Sequence, residues 1–273
     1  MDQENNLNQE DQRHGIWQSD PALQKCLQPV PVPITHLGKE QVQVWIARLK
    51  DFEGELPQLQ AVLSLQEAQR AAKFHFQHDQ TSFILRHGIL RILLGHYLSM
   101  SPREIAFSYG PFGKPEIEER VLHTEFQFNH SHSGDMALYA VSRACPIGLD
   151  VERVRPFPYF EEIASWFFMP SETQQLMALP NESRLEGFFS SWTRKEAILK
   201  ATGEGISNGL SKVEVTVEPL EKPELVTIAS EPKAETEWHL HSFSPAPGFL
   251  AAVATLPGCS VEMRLLKNHT LYT

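Results

Sequence analysis

The hydrophobic period of this chain changes four times between residue 41 and the C-terminus, and that succession limits the fold more than any single motif does. "QVQVWIARL" (41–49) alternates apolar and polar residues, as a half-buried strand does. "LSLQEAQRAAKFHF" (63–76) and "DQTSFILRHGILRILLGHYL" (79–98) shift to helical spacing, the first opening on a Ser64–Glu67 capping box. Ser101 and Pro102 predict a further helix start, with proline at the first helical position. "EFQFNHSHSGDMALYAVS" (125–142) and "CPIGLDVERV" (145–154) return to strand character and read as antiparallel neighbours. Helical spacing resumes in "YFEEIASWFF", "SETQQLMAL" and "SSWTRKEAILKATGEG", the last with Ile198 and Leu199 buried and Gly203 as its stop. The strands "VEVTV", "ELVTIA", "EWHLHSF" and "FLAAVATL" follow. Strands and helices segregated in this way predict an α+β chain in two halves, joined near residues 143–155.

The boundaries drawn from this pattern are a lead over 1–40, an N-terminal half over 41–148 and a C-terminal half over 149–273. The first fifteen residues are polar and charged and read as disordered. They have no apolar stretch of the secretory type, and no run in the chain is long enough to span a bilayer. "LQPVPVPITHL" carries three prolines in five residues and reads as extended. Cys26, Cys145 and Cys259 are far apart and form no C-x-x-C. Neither a disulfide framework nor a zinc ribbon is expected, and a reducing, cytoplasmic setting follows as the simplest one. The formal charge is −10, from 24 basic and 34 acidic residues, which argues against nucleic acid and anionic membrane as partners. Any anion must be held by a local basic cluster.

Four stretches can carry chemistry. In "IGLDVE" (147–152), Asp150 and Glu152 fall on one side of a strand. Oxygen-only donors suit Mg²⁺, and two exposed acids at a strand end are the alternative. In "NHSHSGD" (129–135) the third and fourth ligands of a zinc site are missing, and so is a hydrolase elbow. An anion site and a polar turn remain open. "GPFGKPEI" (110–117) offers close backbone approach and the charge of Lys114. Arg70, Lys73, Arg86 and Arg91 sit on two successive helices, and Arg86 lies in an apolar stretch where an unpaired charge is costly, so it calls for an anionic partner. In the last helix Glu196 and Lys200 are four apart and share a face, like many solvated pairs.

The order G-K-P, N-x-S-H-S-G, I-G-L-D-V-E and W-T-x-K-E-A-x-x-K closely resembles the 4′-phosphopantetheinyl transferases of the large, monomeric Sfp-like class, over roughly residues 45–255. "RAAKFHFQHD…LRHGILRILL" matches the helical region near that family's N-terminus, and the lead of about 40 residues departs from its shorter members. The resemblance implies a pseudo-dimer of two similar α+β halves with the active site in the cleft between them. It implies transfer of 4′-phosphopantetheine from coenzyme A to a serine of an acyl or peptidyl carrier protein, with release of 3′,5′-ADP. Asp150, Glu152 and Glu196 would hold Mg²⁺, and Lys200 would meet the phosphates. Ser131, His132, Lys114, Arg86 and Arg70 would hold the nucleotide end. Glu196 is the expected base, with Glu152 or a water as competitors. Trp192 is expected to fix the helix in the core. In "FPYFEEIASWFFMPSE" (157–172), Ile163 and Phe167 suit a buried stripe, and Phe168 and Met169 are candidates either for core or for a carrier-docking patch.

Overall fold

Alternation in the first strand fixes the layering of the protein, which the computed structural model describes over residues 37–118, 126–205, 209–219, 222–229 and 237–272. The expected disordered and proline-rich lead up to residue 36 lies outside the described residues. In β1 (Gln41–Arg48), Val42, Val44 and Ile46 face one hydrophobic cluster, while Trp45 and Ala47 face another. A strand buried on both faces must lie between two layers.

On the Trp45 side the layer is helical. Short helices α1 (Leu56–Ala61) and α2 (Leu65–Ala71) lead into the 22-residue α3 (Gln77–Leu98), whose Phe83, Ile89, Leu90 and Leu93 pack on the sheet. The capping box of α2 forms as expected: the Glu67 amide donates to Ser64 Oγ at 3.2 Å, and the Ser64 amide donates to Glu67 Oε2 at 2.8 Å. The same carboxylate takes the Nε–H of buried Arg91 at 2.5 Å, so Arg91 is a structural charge. The Ser101–Pro102 signal yields only a 3-10 turn, Pro102–Glu104, without a side-chain cap.

The hairpin of β2 (Phe107–Tyr109) and β3 (Pro115–Ile117) carries the glycine-rich loop. Strands β4 (Gln127–Ser133) and β5 (Met136–Ser142) pair antiparallel. Strand β6 (Ile147–Arg153) does not pair with β5. Its ladder partner is β10 (Phe249–Thr255), which in turn pairs with β9 (His239–Phe243). The expectation of antiparallel neighbours is thereby corrected: β6 opens a second sheet, because its Ile147, Leu149 and Val151 must cover the free face of the first.

Beyond the second sheet lie α4 (Phe160–Phe167), α5 (Pro170–Ala178) and the 22-residue α6 (Asn181–Thr202). Ala252 and Ala254 of β10 meet Ala197, Ile198 and Leu199 of α6 in one cluster. Gly203 ends α6 with φ +79°, as the sequence predicts. The small hairpin β7 (Val213–Val215) and β8 (Leu225–Ile228) completes this layer. The last strand, β11 (Ser260–Leu265), returns to pair parallel with β1 and gives the first sheet the order β11-β1-β5-β4. The chain is thus α+β in two halves, each a sheet backed by one long helix, with the sheets face to face.

Cys145 and Cys259 form a disulfide, contrary to the sequence expectation. They are 114 residues apart, but one precedes β6 and the other follows β10, and the antiparallel register sets Ile147 opposite Thr255. The cysteine argument for a reducing compartment thereby loses its premise.

Candidate active site

Period-two geometry also builds the site. In β4 the side chains of Asn129, Ser131 and Ser133 point toward the edge of β6, where they receive the backbone N–H groups of Leu149, Val151 and Arg153 at 3.3, 3.4 and 3.1 Å. Side chains therefore stand in for a backbone ladder between the two sheets, and this explains the N-x-S-x-S spacing. The hydroxyl protons remain available. Ser131 donates to Asp150 Oδ1 at 2.8 Å, and Ser133 to Glu152 Oε2 at 2.7 Å.

Asp150 and Glu152 lie on the face of β6 opposite Leu149 and Val151, and so look toward α6. Helix and strand touch there: a Cβ on Gly148 would lie 1.8 Å from Ala197 O and 2.4 Å from Ala201 N. Only glycine fits, which accounts for the second residue of "IGLDVE". One helical turn then places Glu196 and Lys200 over the acids. Lys200 Nζ donates to Asp150 Oδ1 at 2.6 Å, lies 3.7 Å from Glu196 Oε2 and reaches Ser131 Oγ at 3.4 Å. The Glu196–Lys200 pair is not a solvated one, because Glu196 is only 4% exposed.

Burial, then the Asp150 carboxylate, push the Glu196 carboxyl up to about 7, with Lys200 opposing them and Glu152 adding to the rise. Burial and Asp150 likewise raise Glu152, against the Ser133 hydroxyl. Burial works against the Lys200 charge, but Asp150, Glu196 and Glu152 outweigh it and leave the ammonium above the ordinary lysine range.

Three buried or half-buried carboxylates are chemically a hard-cation donor set. Asp150 Oδ2 is buried and has no hydrogen-bond partner among the described residues, so it retains a lone pair for such an ion. As the side chains stand, no three His, Cys, Asp or Glu groups among the described residues converge on a metal position. Lys200 bridges Asp150 and Glu196 instead. The residues fit Mg²⁺ in kind, and an ion there would displace this ammonium toward a neighbouring anion.

The other face of β4 meets α3. His132 Nδ1 lies 3.2 Å from Arg86 Nη1, and the Tyr139 hydroxyl donates to Arg86 O at 3.0 Å. Arg70 lies over the Phe83 ring at 5.4 Å. His130, the other histidine of the H-x-H pair, and His87, which the sequence did not single out, join this cluster with their rings 6.2 Å apart. Burial and the nearby Arg86 lower His87 and His132 to about 4; burial, His87 and Arg86 lower His130 to about 3. All three are neutral imidazoles at neutral pH. The signal for His130 was present in the H-x-H alternation, but that for His87 needs the helix docked on the strand.

The structure thus brings Ser131, Asp150, Glu152, Glu196 and Lys200 together, with Arg86 and His132 on the opposite face of the same strand. Lys114 does not join Arg86 and His132: its ammonium donates to Lys200 O at 2.7 Å and Ile147 O at 3.4 Å. The remaining motif residues hold α6. Trp192 contacts the rings of Phe167 and Phe188. Arg194 donates to Thr216 O at 2.6 Å. Lys195, fully buried, donates to Glu172 Oε2 at 2.5 Å and to Val213 O. Phe168 belongs to the core, stacked on Phe188, while Met169 is half-buried; Ile163 and Phe167 are half-buried at the margin of that core.

Comparison with known proteins divides the chain in the same way. The profile of the 4′-phosphopantetheinyl transferase superfamily matches residues 146–254, and that of the 4′-phosphopantetheinyl transferase N-terminal family matches 45–144. The chain is similar to the 4′-phosphopantetheinyl transferase HetI of Nostoc sp., with 38% identity over 232 residues, covering 85% of this chain and 94% of that protein. It is 34% identical to the 4′-phosphopantetheinyl transferase psf-1 of Bacillus pumilus over 162 residues, covering 59% and 67%. Identity to the 4′-phosphopantetheinyl transferase Sfp of Bacillus subtilis is 27% over 191 residues, covering 70% and 81%.

Proposed function

This chain belongs to the 4′-phosphopantetheinyl transferase superfamily, and from that premise we propose that its cleft moves 4′-phosphopantetheine from coenzyme A to a carrier-protein serine with Mg²⁺, releasing 3′,5′-ADP. The observation that carries this reading is the two-faced strand β4. Ser131 touches the carboxylate–lysine cluster, and the adjacent His132 touches Arg86. A ligand with a pyrophosphate at one end and a further phosphate on its nucleotide needs a cation-holding carboxylate cluster with a lysine for the first and an arginine for the second, side by side.

Asp150, Glu152 and Glu196 are the residues that would hold Mg²⁺, which supplies charge neutralisation at the pyrophosphate when bound. Lys200 swings from Asp150 to the phosphate oxygens and holds charge that grows as the bond to the leaving oxygen stretches. Arg86, His132 and Ser131 grip the nucleotide end and set the pyrophosphate against the carboxylates, with Arg70 beside them. Glu196 takes the proton of the attacking serine hydroxyl, because it stands one helical turn from Lys200, beside the phosphate that the serine attacks. The serine oxygen bonds to the phosphorus bearing pantetheine, and the bond from that phosphorus to the bridging oxygen breaks. Negative charge leaves with 3′,5′-ADP. A half-buried Met169 at the start of α5 offers an adaptable apolar contact for the carrier. The protein acts as a monomer in this reading.

Mass spectrometry of an apo carrier incubated with the protein, coenzyme A and Mg²⁺ tests the proposal. A phosphopantetheine mass gain on a serine, lost in Asp150→Ala, is expected. Coenzyme A binding without modification would instead make the chain a sensor, and nucleotide cleavage without modification would make it a hydrolase.

A further inference from the structure

Lys114 lies in the β2–β3 hairpin of the N-terminal half, yet its ammonium is used in the C-terminal half. It donates to Lys200 O at 2.7 Å and to Ile147 O at 3.4 Å. Both acceptors are structurally placed. Lys200 O is among the last four carbonyls of α6, which have no intrahelical partner. Ile147 is the first residue of β6. One cation therefore joins the end of the helix that carries Glu196 and Lys200 to the start of the strand that carries Asp150 and Glu152.

The surroundings make this junction close-fitting. Gly148, next to Ile147, has no room for a Cβ against Ala197 O, so helix and strand backbones are already in contact. The loop that delivers Lys114 rests on the chain just after α6: a Cβ on Gly205 would fall 2.6 Å from Phe112 Cδ1. Lys114 itself is half-buried, and burial lowers its pKa below the ordinary lysine value, against the nearby Glu116 carboxylate. A lysine that gives up hydration to bond two main-chain oxygens has little left to offer a nucleotide phosphate. Positive charge is also favourable at a helix C-terminus.

We propose that Lys114 is a positioning residue: by clasping the Lys200 and Ile147 carbonyls, it fixes the last turn of α6 on β6 and so holds the Lys200 side chain in register with Asp150 and Glu196. The proposal rests on the transferase reading for its kinetic consequence but not for its structural one. The last turn of α6 is the only covalent support of the Lys200 ammonium. A displacement of about 1 Å in a charge that must meet a phosphate is enough to lower a rate by about a hundredfold. Substrate affinity, set mainly by Arg86 and His132 on the other face of β4, is left in place.

The test uses the full chain with Lys114→Met and Lys114→Arg, read by steady-state kinetics and by amide hydrogen exchange along α6. Lys114→Met is expected to lower kcat by about tenfold to a hundredfold. KM for coenzyme A should stay within about threefold, with the preference for coenzyme A over dephospho-coenzyme A unchanged. Exchange should accelerate at the amides of Ala201 to Gly203 and remain unaltered near Phe188, in the body of the helix. Lys114→Arg, which keeps a donor and the charge, should recover much of both signals. A raised KM selective for coenzyme A, with kcat and exchange unchanged, would overturn the proposal and make Lys114 a nucleotide ligand. Unchanged exchange in the last turn would overturn it whatever the kinetics. If wild-type protein modifies no carrier while the exchange signal behaves as stated, the transferase reading fails and the clasp stands. If Lys114→Met does not fold, Lys114→Arg with wild-type exchange and kcat supports the proposal, and Lys114→Arg with a tenfold loss of kcat and faster last-turn exchange despite the retained charge overturns it.

Discussion

Replacing Glu196 by glutamine should make the metal-free protein more stable above neutral pH while removing most of its turnover. Glu196 is 4% exposed and has Asp150 and Glu152 for neighbours; its carboxyl is raised from 4.5 to about 7 in the folded protein. Between those two values the folded state binds more protons than the unfolded state, so stability falls as pH rises through this window. Below pH 4.5 the group is neutral in both states, and Glu196 and its amide replacement differ little. Above pH 7 the full difference is expressed, about 3 kcal/mol at 1.36 kcal/mol per pH unit. For a chain of this size that corresponds to a rise in Tm of about 6 °C or more. The measurement is thermal unfolding of both proteins in chelator, at pH 4.5 and pH 8. The gain for Glu196→Gln should be near zero at the lower pH and largest at the higher one. Adding Mg²⁺ at pH 8 should narrow the gap by stabilising the wild type more than the variant. A Glu196→Gln protein less stable than wild type at pH 8, or a gain equal at both pH values, would refute the electrostatic account of this carboxyl.

The other predictions concern helix α6, the basic cluster and the carrier. Lys195→Met strands Glu172 in the core without its fully buried partner and should cost about 3–5 kcal/mol by urea unfolding. Adding Glu172→Leu should recover much of that loss, whereas a single-variant cost below 1 kcal/mol would show that the pair is not a strut. Arg86→Ala should raise KM for coenzyme A by about tenfold or more, from loss of a charge-assisted hydrogen bond, and leave KM for dephospho-coenzyme A nearly unchanged; equal effects on both substrates would give Arg86 a structural role. Met169→Glu should raise KM for an acidic carrier several-fold with coenzyme A binding intact, as a new like charge in a docking patch does. Unchanged carrier kinetics would remove α5 from the interface.

Much of the site was legible in the sequence because its residues are local. Asp150 and Glu152 share a strand face by period two, and Glu196 and Lys200 share a helix face by period 3.6; both periods are properties of the backbone. The capping box at Ser64 and the glycine stop at Gly203 formed as the sequence predicts, since each depends on residues within one turn. What the sequence left open depended on which segments pack together. The spacing N-x-S-x-S shows only that three side chains share a side. That they seal the edge of β6 follows from the sheets meeting face to face. The disulfide, the return of β11 to β1 and the pairing of β6 with β10 join residues about a hundred positions apart or more, and no local period encodes such partners. Charge followed the same division. From the sequence, Lys114 and Lys200 were both expected to meet phosphate, and Lys195 was one more cation in the motif of Lys200. Tertiary packing gave them different work, because a buried ammonium takes whichever oxygen the fold sets beside it: a helix-end carbonyl for Lys114, the Glu172 carboxylate for Lys195 and the Asp150 carboxylate for Lys200.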